Sequence, residues 1–267
     1  MRCLCKGSES ERVMGLKNIP FVEERRGKIL EILEIQHRVE VPELARHFQV
    51  SEDTIRRDLR FLQRCGLIKK THGGAVRRHL SSLPPYDSRL EQERDIKEAI
   101  GKRAADLVEE NDSLIIESST TTLWFAHALQ VHHARILTND LEIARLAAQK
   151  NYELIVLGGK WDCANHEMVG TSVLEQLSRY RVDKLFLGIS ALDAQNGLTG
   201  ISDEEADVKR AMIEVSDRVI ALADHSKIGE VGFAWIAEAS VIDVLVTDEK
   251  ADCHGFTELD WEIIRAS

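Results

Sequence analysis

With 267 residues, 43% hydrophobic and 30% charged, the chain has the composition of a globular protein that can bury a sizeable core. Its longest apolar runs, "LIVLGG" and "VIDVLV", are strand-sized and far below the roughly 18 to 20 residues of a membrane helix, so no membrane partner is expected. The formal net charge of -10 argues against a polyanion as partner of the chain as a whole, but that total hides a split.

Residues 21–80 carry 13 Lys or Arg against 9 Asp or Glu, residues 1–20 carry 4 against 2, and residues 81–267 carry 18 against 34. A small basic module therefore precedes a large acidic one, and only the first attracts a polyanion. The five cysteines, Cys3, Cys5, Cys65, Cys163 and Cys253, are odd in number and mostly isolated, which suits reduced thiols in a cytoplasm.

In chain order, residues 1–20 lack both a periodic core pattern and the apolar stretch of a signal peptide. They are expected to be a disordered extension, with Met14 an alternative start to Met1. "EERRGKILEILEI" then sets Ile29, Leu30, Ile32 and Leu33 on one helical stripe, and "VPELARHF" starts a second short helix near Pro42 with Leu44, Ala45 and Phe48 turned inward. Ser51 is placed to cap a third helix, in which Ile55, Leu59 and Leu62 recur at helical spacing before Gly66 ends it.

The outer side of that third helix carries Thr54, Arg56, Arg57 and Arg60, near its N-terminus. Arginines in that position on a helix with a sealed apolar face suit a DNA major groove, where they meet guanine edges or phosphates. "LIKKTHGGAV" follows as a short hairpin, a wing with Lys69, Lys70 and His72 beside a tip at Gly73 and Gly74. The candidate DNA contacts are Ser51, Thr54, Arg56, Arg57, Arg60, Lys69, Lys70, His72 and Gly73. A basic run by itself is more often a solvated face; three helices, a cap and a basic hairpin in this order favour double-stranded DNA.

"LSSLPPYDS", residues 80–88, has a proline pair and serines and is expected to link the DNA-binding domain (21–79) to a second domain (89–267). There the strand-like runs "SLIIES", "ARILTN", "YELIVLG", "KLFLGIS", "RVIALAD" and "VIDVLVTD" alternate with helical segments. This predicts an α/β domain with a largely parallel sheet.

Ligands of such sheets bind beyond the carboxyl ends of the strands. The loops there are "SSTTT" (Ser118 to Thr122), "TND" (Thr138 to Asp140), "GGKWDCANHE" (Gly158 to Glu167), "GISALD" (Gly188 to Asp193) and "DHSK" (Asp224 to Lys227). The first opens a helix with hydroxyls and free N–H groups, the chemistry of a phosphate cradle, and Lys209 and Lys227 can balance the charge. Asp193, Glu205 and Lys209 also admit acid-base catalysis, but an enzyme has no use for a recognition helix and wing. Cys163 and His166 lack a second ligand pair, so neither a metal nor a cofactor is expected.

"VSEDTIRRDLRFLQRCGLIKKTHGGA" closely resembles the winged helix-turn-helix of the DeoR family of bacterial transcription regulators. "LTNDLEIA", "DKLFLGISALD", "GLTGISDEEADVKRAMI" and "LADHSKIG" look like blocks of that family's C-terminal domain, so the resemblance spans roughly residues 22–250. It implies a ribose-phosphate-isomerase-like effector domain that senses a phosphorylated sugar or sugar acid, a homo-oligomer, and a repressor of a carbohydrate or sugar-acid catabolic operon. The effector contacts it implies are Ser119, Thr120, Thr121, Thr122, Asn139, Gly158, Gly159, Gly188, Asp193, Glu205, Lys209, Asp224 and Lys227.

Two departures stand out. A glycine of the family's first loop is Ser119 here, which alters the phosphate cradle. The stretch after "GG", where many relatives carry arginine, reads "KWDCANHE", which implies a less anionic ligand or one that presents donors to a carboxylate.

Overall fold

The computed structural model describes residues 22–36, 38–64, 68–71, 73–77, 79–80 and 83–267. The extension at residues 1–20, with Met14, lies outside them, as do Cys65, Gly66 and His72. The chain divides into two compact units, the first ending at Arg78 and the second running from His79 to Ser267.

The first unit contains helices α1 (Val22–Gln36), α2 (Val41–Phe48) and α3 (Glu52–Arg64) and strands β1 (Arg38–Glu40), β2 (Ile68–Lys70) and β3 (Gly74–Arg77). Ile29, Leu33, Val41, Leu44, Phe48, Ile55, Leu59 and Leu62 close one core, because their helical spacing places them on the facing sides of the three helices. The Ser51 hydroxyl accepts the Thr54 N–H at 3.2 Å and caps α3. A buried ion pair fastens α3 to α1: the Asp58 carboxylate takes Arg25 Nε at 2.7 Å and Arg26 Nε at 3.0 Å.

The hairpin β2–β3 is antiparallel, with β1 added on the far side of β3. Gly74 permits that third strand, since a Cβ there would stand 1.8 Å from the Val39 carbonyl oxygen.

In the second unit β4 (His79–Leu80) is followed by α4 (Tyr86–Glu91) and α5 (Arg94–Ala105), and then by β5 (Ser113–Ile116), α6 (Thr120–Ala128), β6 (Arg135–Thr138), α7 (Leu141–Gln149) and β7 (Glu153–Val156). A hairpin of β8 (Lys160–Asp162) and β9 (Glu167–Val169) leads to α8 (Thr171–Leu177), β10 (Val182–Gly188), β11 (Ala191–Asp193), β12 (Gly197–Gly200) and α9 (Asp203–Glu214). The chain closes with β13 (Ser216–Leu222), β14 (Val231–Gly232), β15 (Ala234–Ala237), β16 (Val244–Asp248) and β17 (Glu262–Ala266).

The main sheet has the order β17-β16-β13-β10-β5-β6-β7 and every pairing in it is parallel. Side chains alternate between its two faces: Ile115, Leu137, Leu185 and Leu187 pack with α8 and α9, whereas Leu114, Ile116, Ile136 and Phe186 pack with α5, α6 and α7. Burial on both faces explains why the strands read as continuous apolar runs.

The parallel α/β architecture is the one expected, and six of the seven strands of the sheet coincide with the six runs read from the sequence. The seventh, β17, is an edge strand whose "EIIRA" has only two large apolar residues between Glu262 and Arg265 and is partly exposed, so it gives no continuous apolar run. Within the stretch expected to be a linker, Leu80 belongs to β4, paired with β14, and residues from Tyr86 onward form α4. The physical reason is Tyr86, which is buried and stacks its ring on His166 at 4.1 Å.

Candidate functional site

On α3, Arg56, Arg57 and Arg60 are exposed and Thr54 is half-buried. They share the side opposite Ile55, Leu59 and Leu62, so the apolar stripe that seals the core turns the arginines outward. Arg56 is held by Glu52 at 2.7 Å and Asp53 at 3.3 Å, and Arg60 donates to the Arg56 carbonyl at 3.1 Å. Arg57 has no ion-pair or hydrogen-bond partner among the described residues. Gly73 is exposed at the hairpin tip, where its carbonyl accepts the Val41 N–H, and Lys70 is half-buried; the Lys69 side chain and His72 lie outside the description.

In the second unit, β5, β6 and β7 run to one side of the sheet and β10, β13, β16 and β17 to the other. The order reverses between β5 and β10, the switch point at which open α/β sheets bind ligands. A cavity of about 30 Å³ lies there, walled by Ser118, Ser119, Thr120 and Thr121 after β5 and by Gly188, Ile189 and Ser190 after β10. It has room for a water molecule or two. A larger groove of about 700 Å³ beside Trp124 and His127 is shallow and open, with no comparable convergence of buried charge.

The cavity wall is built by local capping. Ser119 caps α6 by accepting the Thr122 N–H at 3.0 Å, which leaves the first-turn N–H groups of Thr120 and Thr121 without intrahelical acceptors. Gly188 has to be glycine, because a Cβ there would stand 2.2 Å from Ser119 Oγ.

Four charged side chains are buried beneath. Lys209 Nζ lies 3.0 Å from Glu205 Oε1 and 3.4 Å from Glu117 Oε1, and donates to the Gly188 carbonyl at 2.8 Å. Glu117 accepts the Gly188 N–H at 3.0 Å, and Glu205 accepts Ser190 Oγ at 2.9 Å and the Ile201 N–H at 3.0 Å. Glu167, delivered by the β8–β9 hairpin, is 2% exposed and receives Asn139 Nδ2 at 3.5 Å on one oxygen.

Burial pushes the Glu117 carboxyl up to about 7 against the pull of Lys209, and pushes Glu167 well above the carboxylate range, aided by the charges of Glu117 and Glu205. Burial acts the same way on Glu205, but Lys209 and the hydrogen bonds override it and hold that carboxyl below its ordinary value. Burial disfavours the Lys209 ammonium, yet the three carboxylates around it hold its pKa above normal.

Three cations complete the rim: Arg89 from α4, Lys97 from α5 and Lys227. Lys97 donates to the Gln92 carbonyl at 2.6 Å and also to that of Arg89, and burial lowers its pKa to about 8. Arg89 Nη2 donates to Asn165 Oδ1 at 3.0 Å, and burial lowers its pKa too.

Residues 25–80 match the DeoR-like helix-turn-helix domain and residues 92–249 the DeoR C-terminal sensor domain. The chain belongs to the DeoR family of transcriptional regulators. It is 36% identical over 230 residues to the HTH-type transcriptional repressor GlcR of Bacillus subtilis, covering 85% of this chain and 89% of the relative. It is 34% identical over 227 residues to the glycerol-3-phosphate regulon repressor of Escherichia coli, covering 84% and 90%. Ribose 5-phosphate isomerase A from Methanocaldococcus jannaschii aligns structurally with a TM-score of 0.38 at 17% identity, over 51% of this chain and 55% of that one. As a member of its family, the chain is a DNA-binding transcriptional regulator and not an enzyme.

In this DeoR-family sensor domain, Ser119, Thr120, Thr121, Gly188, Glu205, Lys209 and Lys227 of the expected effector contacts line one cavity. The others do not reach it. Thr122 Oγ1 is spent on the Glu117 carbonyl at 2.6 Å, and Asn139 braces the Ser118 N–H and the Met168 carbonyl. Gly158 is bound on both sides by Gln176, and Gly159 packs on Val169 and Val173. Asp193 shapes a turn by accepting the N–H groups of Gln195 and Asn196, and Asp224 caps a short 3-10 turn at Ser226.

The sequence points to neither Arg89 nor Lys97, and it places Ser190 and Glu167 on expected site loops without naming either as a contact. The expected linker "LSSLPPYDS" ends one residue before Arg89, and Lys97 lies within one of the helical segments that alternate with the strands, so neither stands on an expected site loop. Glu167 was also legible as a departure from the family pattern.

Proposed function

We propose that the protein represses a carbohydrate or sugar-acid catabolic operon in the cytoplasm, and that a phosphorylated intermediate bound in the second unit releases it from its operator. The observation that carries this reading is the convergence of Lys97, Lys227 and the first turn of α6 on one cavity at the switch point of the sheet. N–H groups at a helix N-terminus and two ammonium groups are the donors a phosphate requires. The effector contacts are Ser119, Thr120, Thr121, Gly188, Lys209 and Lys227, with Thr122, Asn139 and Asp224 supporting the wall.

The closed cavity is smaller than a sugar phosphate, so entry requires the cover formed by Leu83 to Gln92 to shift, and the ligand selects that rearranged population. Operator binding uses Arg56, Arg57 and Arg60 in the major groove with Ser51 and Thr54 at the helix start, while Lys69, Lys70, His72 and Gly73 run along the backbone. Two such modules on a symmetric operator call for a homo-oligomer.

Operator release, titrated with sugar phosphates on a duplex selected from random sequences, tests the reading. Lys227→Ala and Thr121→Val keep operator affinity and lose the response to effector. An unchanged response in both would sink the pocket assignment.

A further inference from the structure

Among the residues lining the cavity, two buried polar atoms have no hydrogen-bond partner among the described residues: Arg89 Nε and Glu167 Oε1. Every other buried charge at the site is met. Glu117 and Glu205 share Lys209, and the second oxygen of Glu167 has Asn139. Arg89 and Glu167 line the same cavity, yet they are not ion-paired with each other.

An unmet buried donor or acceptor costs about 1 to 3 kcal/mol, more for a charged group, so two such atoms left open on residues of one cavity are a disposition toward a ligand. A hydroxyl group is the complement of both, because its oxygen accepts from Arg89 and the same group can either accept from Glu167 as the protonated acid that burial favours or donate to it as a carboxylate.

Resting on the reading of the cavity as a phosphorylated-effector site, we propose that Arg89 and Glu167 form its specificity element and select a phosphorylated polyol or sugar carrying a free hydroxyl at the far end from the phosphate anchor. Lys97, Lys227 and the α6 N-terminus hold the phosphate, and the Arg89–Glu167 pair reads the hydroxyl. Arg89 rides on α4, within the cover that has to move for entry, so its bond to the bound hydroxyl recloses the cover only over a ligand of the right chemistry. Glu167 also belongs to the "KWDCANHE" stretch, which with Asp162 and His166 stands where the family resemblance leads one to expect arginine.

The test measures binding of D-ribose 5-phosphate, D-glucose 6-phosphate, sn-glycerol 3-phosphate and inorganic phosphate to the full-length protein by calorimetry. The variants are Glu167→Met and Arg89→Met, with circular dichroism and thermal unfolding as the control for folding. At least one hydroxylated phosphate binds the parent, and Glu167→Met weakens it by about tenfold or more while leaving inorganic phosphate unchanged. Arg89→Met weakens the same compound to a similar degree.

If a methionine variant does not fold, Glu167→Gln and Arg89→Lys carry the test with expected losses of about threefold or more. A parent that binds a sugar phosphate while the Glu167 variants bind it equally well overturns this inference and leaves the proposed function standing. A parent that binds none of the four compounds overturns both.

Discussion

Lys209 and Glu205 meet at 3.0 Å with side chains 4% and 5% exposed, one helical turn apart on α9. That single ammonium also serves Glu117, so it neutralises carboxylates from two elements beneath the cavity floor. Lys209→Met leaves them uncompensated and is expected to destabilise the second unit by about 3 to 5 kcal/mol at neutral pH. Calorimetric unfolding of the full chain reads this directly. The deficit should shrink in mild acid, where the carboxyls take up protons; a deficit that is the same at every pH would mean that packing and not charge is lost.

Glu117 itself sets a pH dependence. Its pKa in the folded protein is about 7 against an ordinary 4.5, so the folded state binds a proton that the unfolded state releases. The contribution is fully present below pH 4.5 and is lost as the pH rises through about 7. Stability of the second unit should therefore fall across that window, and Glu117→Gln should flatten the fall. A parent and a Glu117→Gln variant with parallel stability profiles would contradict the assignment.

Gly188→Ala brings a methyl to within 2.3 Å of Ser119 Cβ, and Ser119 cannot retreat while it caps α6. The expected cost is about 1 to 3 kcal/mol of overpacking, together with loss of effector-driven operator release. Removing the obstruction supplies the check: Gly188→Ala combined with Ser119→Gly should recover part of the stability. No recovery would place the strain elsewhere.

Arg57 and Arg56 are adjacent on α3 but differ in engagement. Arg57→Ala should cost about 1 to 3 kcal/mol of operator affinity and relax the preference at one base pair. Arg56 first gives up its exposed contacts with Glu52 and Asp53, worth up to about 1 kcal/mol, so its removal should cost less. Operator titrations over a range of salt concentrations separate the two, and equal losses would show that those ion pairs do not persist in solution.

The sequence by itself determined the features that depend on local spacing. Ile55, Leu59 and Leu62 at helical intervals dictate which way α3 turns its arginines, and six apolar runs punctuated by loops dictate a parallel sheet with a site at its strand ends. The "SSTTT" loop was legible as a helix start because hydroxyl caps act within three residues of themselves.

Tertiary structure alone decided which of those loop residues share a cavity. Gly158, Gly159 and Asp193 sit on the expected loops but point away, because Gln176 and the turn at Asn196 claim them. Arg89 and Glu167, 78 positions apart, come to one cavity only because Tyr86 stacks on His166 and draws α4 over the β8–β9 hairpin. The shifted acidity of Glu117 and Glu167 has the same origin: it follows from burial beside other carboxylates, Glu205 among them, against the pull of Lys209, and burial is a property of the packed sheet that no local run of residues encodes.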